Sequence, residues 1–509
     1  MQITKNMNNL DVLFVHPNGA PIIYQELSNS YSAIEPPIWA ALLAKNAIVK
    51  GFSARILDCE AERIGAEESA KRVIEHDAKL VAVVVYGQQP SASTQNMIGA
   101  RLLIQNIKQL DPTMKVLLIG LHPSAVARHT LESEEADFVC QGEGPYTIEG
   151  LLSIADMGDP TQLKSVPGLW YRDGNNVCYT KPAKLITQEN LPHELPGMAW
   201  DLLPMDKYRT ANWHAMTNND ERSPFASLYT SLGCPFRCSF CCINAPFGNN
   251  NLENWDYGRN KFRYWDPEFI IEEFEALSNM GIRNIKLADE MFVLHKSHFM
   301  KLSELIIDRG YDFNFWAYAR IDTVREEYLE TLKKAGVNWL ALGIESGNKV
   351  VRKDVVKGRF TDVNIQDLVR KIQDAGIDVI GNYIFGLPED TIESMQDTLD
   401  MAIDLNCEFA NFYSAMAYPG SKLYLDAIRE GWELPETYVG YSQHSYETKP
   451  LNTKHISAAE VLKFRDEAFQ KYYTNEKYLK LVEDKYGLKT RQGIEDMTKI
   501  KLKRKILGD

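Results

Sequence analysis

A chain of 509 residues has room for about two to four domains, and its 45% hydrophobic and 25% charged residues are ordinary for a globular protein. Its net charge of −13 disfavours general nucleic-acid binding, which needs clustered Lys and Arg. The basic cluster Lys499, Lys501, Lys503, Arg504 and Lys505 reads as a solvated helix end or tail. No charged-then-apolar leader and no bilayer-length apolar run occur, so a cytoplasmic protein is expected.

Residues 1–150 alternate short apolar runs with helical stretches. Strands are predicted at Asp11–His16, Ala54–Asp58, Leu80–Tyr86, Lys115–Gly120 and Asp137–Cys140. Helices are predicted at Pro37–Gly51, Ala66–His76 and Thr94–Leu110. This alternation implies right-handed βαβ units and a doubly wound parallel sheet, with ligands at the carboxyl ends of the strands. The loops there carry glycine and small polar residues: His16-Pro17-Asn18-Gly19, Tyr86-Gly87-Gln88-Gln89-Pro90-Ser91, Gly120-Leu121-His122-Pro123-Ser124 and Gly142-Glu143-Gly144. Such residues let a backbone approach a large ligand. No GxGxxG fingerprint follows the first strand, which disfavours a dinucleotide.

Residues 151–220 form a connector. Val166–Asn175 reads as a strand and Asp-Gly turn, and the proline-rich Asn190–Pro204 as an extended linker. Trp200, Tyr208 and Trp213 are candidates to pack between domains.

Residues 221–435 contain strand-like runs at Phe225–Leu232, Asn284–Ala288, Phe313–Ala319, Trp339–Ile344, Val379–Phe385 and Phe409–Ala415. The helices between them stop at Gly281, Gly336 and Gly376. Six such βα units fit a partial TIM-type barrel, with chemistry at the carboxyl rim. Just past the first run stands Gly233-Cys234-Pro235-Phe236-Arg237-Cys238-Ser239-Phe240-Cys241. Thiolates suit an iron–sulfur cluster, and a four-iron cluster usually takes four of them. Three from one loop would leave one iron open to a substrate or cofactor. The alternatives are three buried thiols or a zinc site, but zinc usually needs a second ligand pair, and none is seen. Cys242 adjoins the loop and is not counted as a ligand. Cys59, Cys140, Cys178 and Cys407 are scattered, as reduced thiols would be. Polar groups recur along the same rim: Ala288-Asp289-Glu290, Arg320-Ile321-Asp322, Gly343-Ile344-Glu345-Ser346-Gly347, Gly386-Leu387-Pro388-Glu389-Asp390 and Tyr418-Pro419-Gly420-Ser421. Each alone reads as a cap or turn; together on one rim they read as a site.

Residues 436–509 are polar and helical. Ile456–Tyr473 has helical spacing, with Ser457 as its cap. Tyr438, Tyr441, His444 and Tyr446 either line a pocket or pack a lid.

The cysteine loop, with C-x3-C-x-Phe-C after a first strand, resembles the radical SAM enzymes, whose open iron binds S-adenosylmethionine (SAM). The Gly120-x-His122-Pro123 and Gly142-Glu143-Gly144 loops resemble those of the cobalamin-binding domains that precede many radical SAM barrels. The resemblance covers most of residues 10–150 and 221–425. It implies a doubly wound cobalamin-binding domain (1–150), a partial (β/α)6 TIM-type radical SAM barrel (221–435) and a C-terminal helical region. It implies a [4Fe-4S] cluster on Cys234, Cys238 and Cys241, and SAM near Phe240, Ala288, Asp289, Glu290, Arg320, Glu345, Ser346 and Gly386. Cobalamin is implied near Asn18, Gly19, Gly87, Gln88, Gly120, His122, Gly142, Glu143 and Gly144. His16 and Gly19 keep the H-x-x-G part of the cobalt-ligating D-x-H-x-x-G pattern, but Phe14 stands in place of its aspartate. The activity implied is reductive SAM cleavage to a 5′-deoxyadenosyl radical, with methylation of an unactivated carbon through methylcobalamin held over the barrel mouth. A reductase such as flavodoxin or ferredoxin would supply electrons, and the substrate would be a small molecule or biosynthetic intermediate. A cyclisation, rearrangement or oxidation with the same cofactors, an RNA methylthiotransferase and an inert cobalamin sensor are the other readings. The acidic charge argues against the RNA enzyme, and the intact cysteine triad against the sensor.

Overall fold

The buried apolar runs of the first region become strands in the computed structural model, which describes residues 10–87, 89–216, 221–247, 262–355 and 363–509. The chain divides into two compact units. The first comprises residues up to Ala20, Pro36–Met205 and Cys242–Arg263; the second comprises Pro21–Glu35, Asp206–Cys241 and Tyr264–Asp509.

In the first unit, β1 (Leu10–His16), β2 (Ala54–Asp58), β3 (Ala78–Val85), β4 (Val116–Gly120) and β5 (Phe138–Cys140) are parallel, in the order β2-β1-β3-β4-β5. Val12–Val15 and Leu80–Val83 are fully buried, as strands covered on both faces must be. Strand order reverses between β1 and β3, so their carboxyl ends frame the crevice where such sheets bind ligands. The predicted connector hairpin is not free-standing. Its strands β6 (Leu169–Asp173) and β7 (Asn176–Tyr179) extend this sheet antiparallel from β5. Arg172 secures them by donating to the carbonyls of Ala136, Leu131 and Glu134.

In the second unit, β8 (Phe225–Leu228) is followed in the chain by two short strands, β9 (Ser231–Leu232) and β10 (Arg263–Tyr264). Next come β11 (Asn284–Leu287), β12 (Asn314–Arg320), β13 (Val337–Glu345), β14 (Asp378–Phe385) and β15 (Phe409–Ser414). β8 and β11–β15 form a parallel sheet in chain order, the open half-barrel that six βα units predict. Its amino end is plugged by Trp213, edge-on to Trp316 and Trp339 at 5.1 and 5.4 Å between ring centroids. An amide ladder crosses three strands there: Asn338 Nδ2 donates to Asn314 Oδ1 at 3.0 Å, and Asn314 Nδ2 to Asn284 Oδ1 at 2.9 Å.

An open sheet leaves an edge, and at β15 side chains close it. The Tyr473 hydroxyl accepts from Ala410 N at 3.0 Å and donates to Ala410 O at 2.6 Å. Arg465 Nε donates to Phe412 O at 2.8 Å. The Gln443 amide exchanges two 2.9 Å hydrogen bonds with the Ser414 backbone. Alternate residues of the edge are thus satisfied without another strand. Helix Ala458–Tyr473, which brings Arg465 and Tyr473, starts with a Ser457/Glu460 capping box, at the cap the sequence predicts.

Candidate active site and cofactor loops

β8 and β9 deliver the cysteine loop, and two carboxylates brace its root. Asp289 is fully buried and accepts from Thr230 N, Thr230 Oγ1 and Ser231 Oγ, each at 2.6 Å. Burial raises its carboxyl above the ordinary range, opposed by those hydrogen bonds. Glu290 Oε2 accepts from Gly233 N at 3.0 Å, where the backbone turns with φ +87°. The thiols of Cys234, Cys238 and Cys241 are half-buried and unpaired by disulfide. Burial pushes Cys234 up to about 11 and Cys238 up to about 12, so both stay protonated until a metal takes the proton's place. Among the described residues no three His, Cys, Asp or Glu side chains converge on a position for a single metal ion. Three thiols on one loop are the donor type that an iron–sulfur cluster takes. Cys242 is buried.

Phe240 packs on Ala417, Leu423, Ala427 and Leu451, and the neighbouring Ser239 O accepts from Leu423 N at 2.8 Å, so the loop is clamped from the rim. Arg320 lies over the Phe236 ring at 3.4 Å and pairs with Asp322 through two 2.5 Å hydrogen bonds. Its guanidinium also reaches Cys238, whose thiol it holds down against burial. Ala288 continues the β8 ladder by donating from N to Leu228 O at 2.8 Å.

On β13 the register shifts between Gly343 and Glu345, and Glu345 takes φ +65°. A bulge of this kind re-aims a side chain next to a site. Burial pushes the Glu345 carboxyl up to about 7, against the pull of Arg320. Ser346 turns away from the rim: its hydroxyl lies 3.2 Å from Thr398 Oγ1 and accepts from Asn348 N at 3.1 Å. Gly386 has φ +79°, and a Cβ there would strike Val461. The nearby Asp390 carboxylate accepts from Leu387 N and Ser394 Oγ, and burial pushes it up to about 6.

In the first unit the loops at the strand ends are tied to one another. Asn18 Oδ1 accepts from Ala20 N at 3.2 Å, Asn18 Nδ2 donates to Ile64 O at 3.2 Å, and Gly19 packs so closely that a Cβ on Gly99 would lie 2.9 Å from its nitrogen. Gly87 turns with φ +79°, and Gln88 lies outside the described residues. A Cβ on Gly120 would collide with Val85 O, so only glycine lets the β4 end pass β3. His122 N donates to Ser93 Oγ at 2.9 Å and its Nδ1 lies 3.1 Å from Thr94 Oγ1. Burial lowers His122 to about 3, so it is neutral. Gly142 N donates to Ser124 Oγ at 3.2 Å, and among the described residues a Cβ there would meet only Ala183, at 3.9 Å. Gly144 sits against Ile119 and Leu43 with no room for a Cβ. Glu143 points into the unit: it pairs with buried Arg263 at 2.8 Å and accepts from Ile186 N at 2.7 Å. Glycine backbone with open space at Gly142, over a tied frame, is a cradle that suits a large flat cofactor.

His16 is buried. Its Nδ1 lies 3.0 Å from Asp58 Oδ1, and its Nε2 3.9 Å from Glu60 Oε2. Burial works to lower its pKa, but the two carboxylates outweigh it and the net shift is upward. Asp58, across the β1–β2 ladder, supplies the carboxylate missing at position 14.

Four polar residues of the barrel interior lie outside the sequence motifs. Lys286 is 2% exposed, pairs with Glu35 at 2.9 Å and lies 4.9 Å from the Trp316 ring centre. Asn382 and Asn411 face each other across β14 and β15 at 3.0 Å, and Tyr413 follows on β15. The available signal is a polar residue within an apolar strand run, as in Val-Ile-Gly-Asn382-Tyr-Ile-Phe.

Residues 27–152 match the B12 binding domain, and residues 228–402 the Radical SAM superfamily. An uncharacterized methyltransferase of Pyrococcus horikoshii is 27% identical over 468 residues, covering 91% of this chain and 94% of its own. An anaerobic magnesium-protoporphyrin IX monomethyl ester cyclase of Cereibacter sphaeroides is 24% identical, covering 91% of this chain and 70% of its own. The solved structure of the radical SAM methyltransferase TsrM from Kitasatospora setae, with cobalamin and a [4Fe-4S] cluster bound, shares the fold. Its TM-score is 0.63 at 18% identity, over 88% of this chain and 84% of that one. Among the described residues no helix is long and apolar enough to cross a membrane.

Proposed function

Because this chain belongs to the cobalamin-binding radical SAM enzymes, which use a [4Fe-4S] cluster, SAM and cobalamin, we propose that it is a methyltransferase acting on an unactivated carbon of a small molecule. The observation that carries the reading is the loop of three half-buried thiols at the carboxyl rim of the half-barrel. When bound, the cofactors supply the difficult chemistry: reductive cleavage of SAM to a 5′-deoxyadenosyl radical, and a methyl group carried by cobalamin.

The chain's own residues hold and orient. Cys234, Cys238 and Cys241 are the cluster ligands in this proposal. Asp289 and Glu290 act as positioning residues, since their carboxylates grip Thr230, Ser231 and Gly233. Arg320, within reach of Cys238, offsets negative charge at the cluster and is fixed by Asp322. Glu345 is aimed by the bulge, and its carboxyl can hold or release a proton near neutrality. In the first unit, Gly87, Gly120, Gly142 and Gly144 present backbone to the corrin, with His122 and Glu143 as struts beneath. A reductase such as flavodoxin or ferredoxin supplies the electron.

The cyclase relative favours a second reading, a radical cyclisation or oxidation with the same cofactors and no methyl transfer. The test is anaerobic purification with hydroxocobalamin, followed by assay of iron, sulfide, cobalamin and SAM cleavage. Cluster and cobalamin both bound, with 5′-deoxyadenosine formed by wild type and lost in Cys238→Ala, is the expected result. With substrate, 5′-deoxyadenosine and S-adenosylhomocysteine should form in similar amounts. Product without S-adenosylhomocysteine would select the second reading.

A further inference from the structure

The concave face of the half-barrel holds polar groups other than those assigned to the cluster and SAM. Ser227, Lys286 and Trp316 stand in one row across β8, β11 and β12, and Gly343, Asn382 and Asn411 in another across β13, β14 and β15. On β12–β15 the residues flanking this face, such as Leu342, Ile344, Tyr383 and Phe412, are buried, while Tyr318, Gly343, Asn382, Asn411 and Tyr413 keep partial exposure. A lumen therefore remains above the tryptophan plug. Burial raises the Tyr413 phenol on β15; Tyr318 on β12, Tyr418 and Glu345 add to the rise, and Arg465 opposes it.

Among the described residues the hydroxyls of Tyr318 and Tyr413 make no hydrogen bond, and Asn411 uses only Nδ2, leaving Oδ1 without a partner. Ser227 Oγ, in the lower row, is buried without one as well. Deep polar groups without protein partners await either water or a ligand. The fixed cations of the face are already matched, Lys286 by Glu35 and Arg320 by Asp322. Among the described residues of this face an anionic ligand finds no surplus positive charge. The two phenols give flat surfaces, and the side-chain amide and hydroxyls give directional contacts.

We propose that this lumen binds a planar, uncharged ring carrying a hydroxyl or N–H donor, which donates to Asn411 Oδ1 and hydrogen-bonds the hydroxyls of Tyr318 and Tyr413. The proposal deepens the reading above and rests on it in one respect: that ring is the part of the substrate presented to the radical.

The test is anaerobic equilibrium dialysis of the full-length, cluster-reconstituted protein with SAM present. The three probes share one ring: 2-naphthol, its methyl ether 2-methoxynaphthalene, and 2-naphthyl phosphate. The naphthol should bind about tenfold more tightly than the ether, the worth of one net hydrogen bond, and the phosphate should not bind. Asn411→Leu removes the acceptor and should bring the naphthol-to-ether ratio close to one; Tyr413→Phe removes a donor open to both probes and should weaken both about tenfold; Tyr179→Phe, at an exposed position, should change neither. Tyr413→Phe is nearly isosteric, so it decides the matter even if Asn411→Leu fails to fold. Equal binding of naphthol and ether, tight binding of the phosphate, absence of naphthol binding with SAM present, or unchanged naphthol binding in Tyr413→Phe would each overturn the proposal. SAM cleavage by the same wild-type preparation tests the cofactor reading separately, because the dialysis needs no turnover.

Discussion

Replacing Asp289 separates two roles for a carboxylate beside the cluster loop. Its two oxygens accept three short hydrogen bonds inside the protein, from Thr230 N, Thr230 Oγ1 and Ser231 Oγ. A hydrogen bond to a charged group contributes roughly 1.5–3 kcal/mol, and a buried donor left unmatched costs about 1–3 kcal/mol. The hydroxyls can turn to other acceptors; the Thr230 N–H cannot. Asp289→Ala should therefore destabilise the second unit by about 3–5 kcal/mol. Asp289→Asn keeps an acceptor for the N–H and should cost less than half of that. The assay is urea unfolding of the metal-free protein, with iron retained after anaerobic reconstitution as a second readout. Both variants should lose iron in proportion to stability. An unchanged urea midpoint with full iron content, together with a raised KM for SAM, would refute the bracing role and assign Asp289 to SAM itself.

Three other perturbations follow the same physics. Glu143→Gln leaves the buried Arg263 guanidinium facing a neutral amide and should cost about 3 kcal/mol or more, with weaker cobalamin retention as the functional readout. Tyr473→Phe orphans both backbone groups of Ala410 at the β15 edge and should cost about 2 kcal/mol, seen as a lower melting temperature and faster aggregation on heating. Glu345 titrates near 7 in the folded protein, above its ordinary carboxylate value. A raised acid binds its proton more tightly when folded, so its contribution to stability is complete at acidic pH and is lost as pH rises through about 7. The melting-temperature difference between wild type and Glu345→Gln should change steadily across that range; a constant difference would show that the carboxyl is not raised.

Local sequence was sufficient for the elements and for the cysteine loop. Apolar runs of strand length, helices stopped by Gly281, Gly336 and Gly376, the Ser457 cap and the C-x3-C-x2-C spacing are all encoded within a few residues of themselves. What each carboxylate does is another matter. The sequence places Asp289 near SAM and Glu143 near cobalamin, and in the fold Asp289 is committed to hydroxyls 58 and 59 residues away, and Glu143 to Arg263. The same holds for Asp58 beneath His16, for Tyr473, Arg465 and Gln443 along the β15 edge, and for Glu35 neutralising Lys286. A polar side chain at a strand end must find a partner, because leaving it unmatched in the interior costs more than any local preference supplies. Which partner it finds depends on chain segments that only the tertiary fold brings alongside. Periodicity and spacing are local properties and survive in the sequence; the pairing of buried polar groups is not, and it was decided when the strands closed.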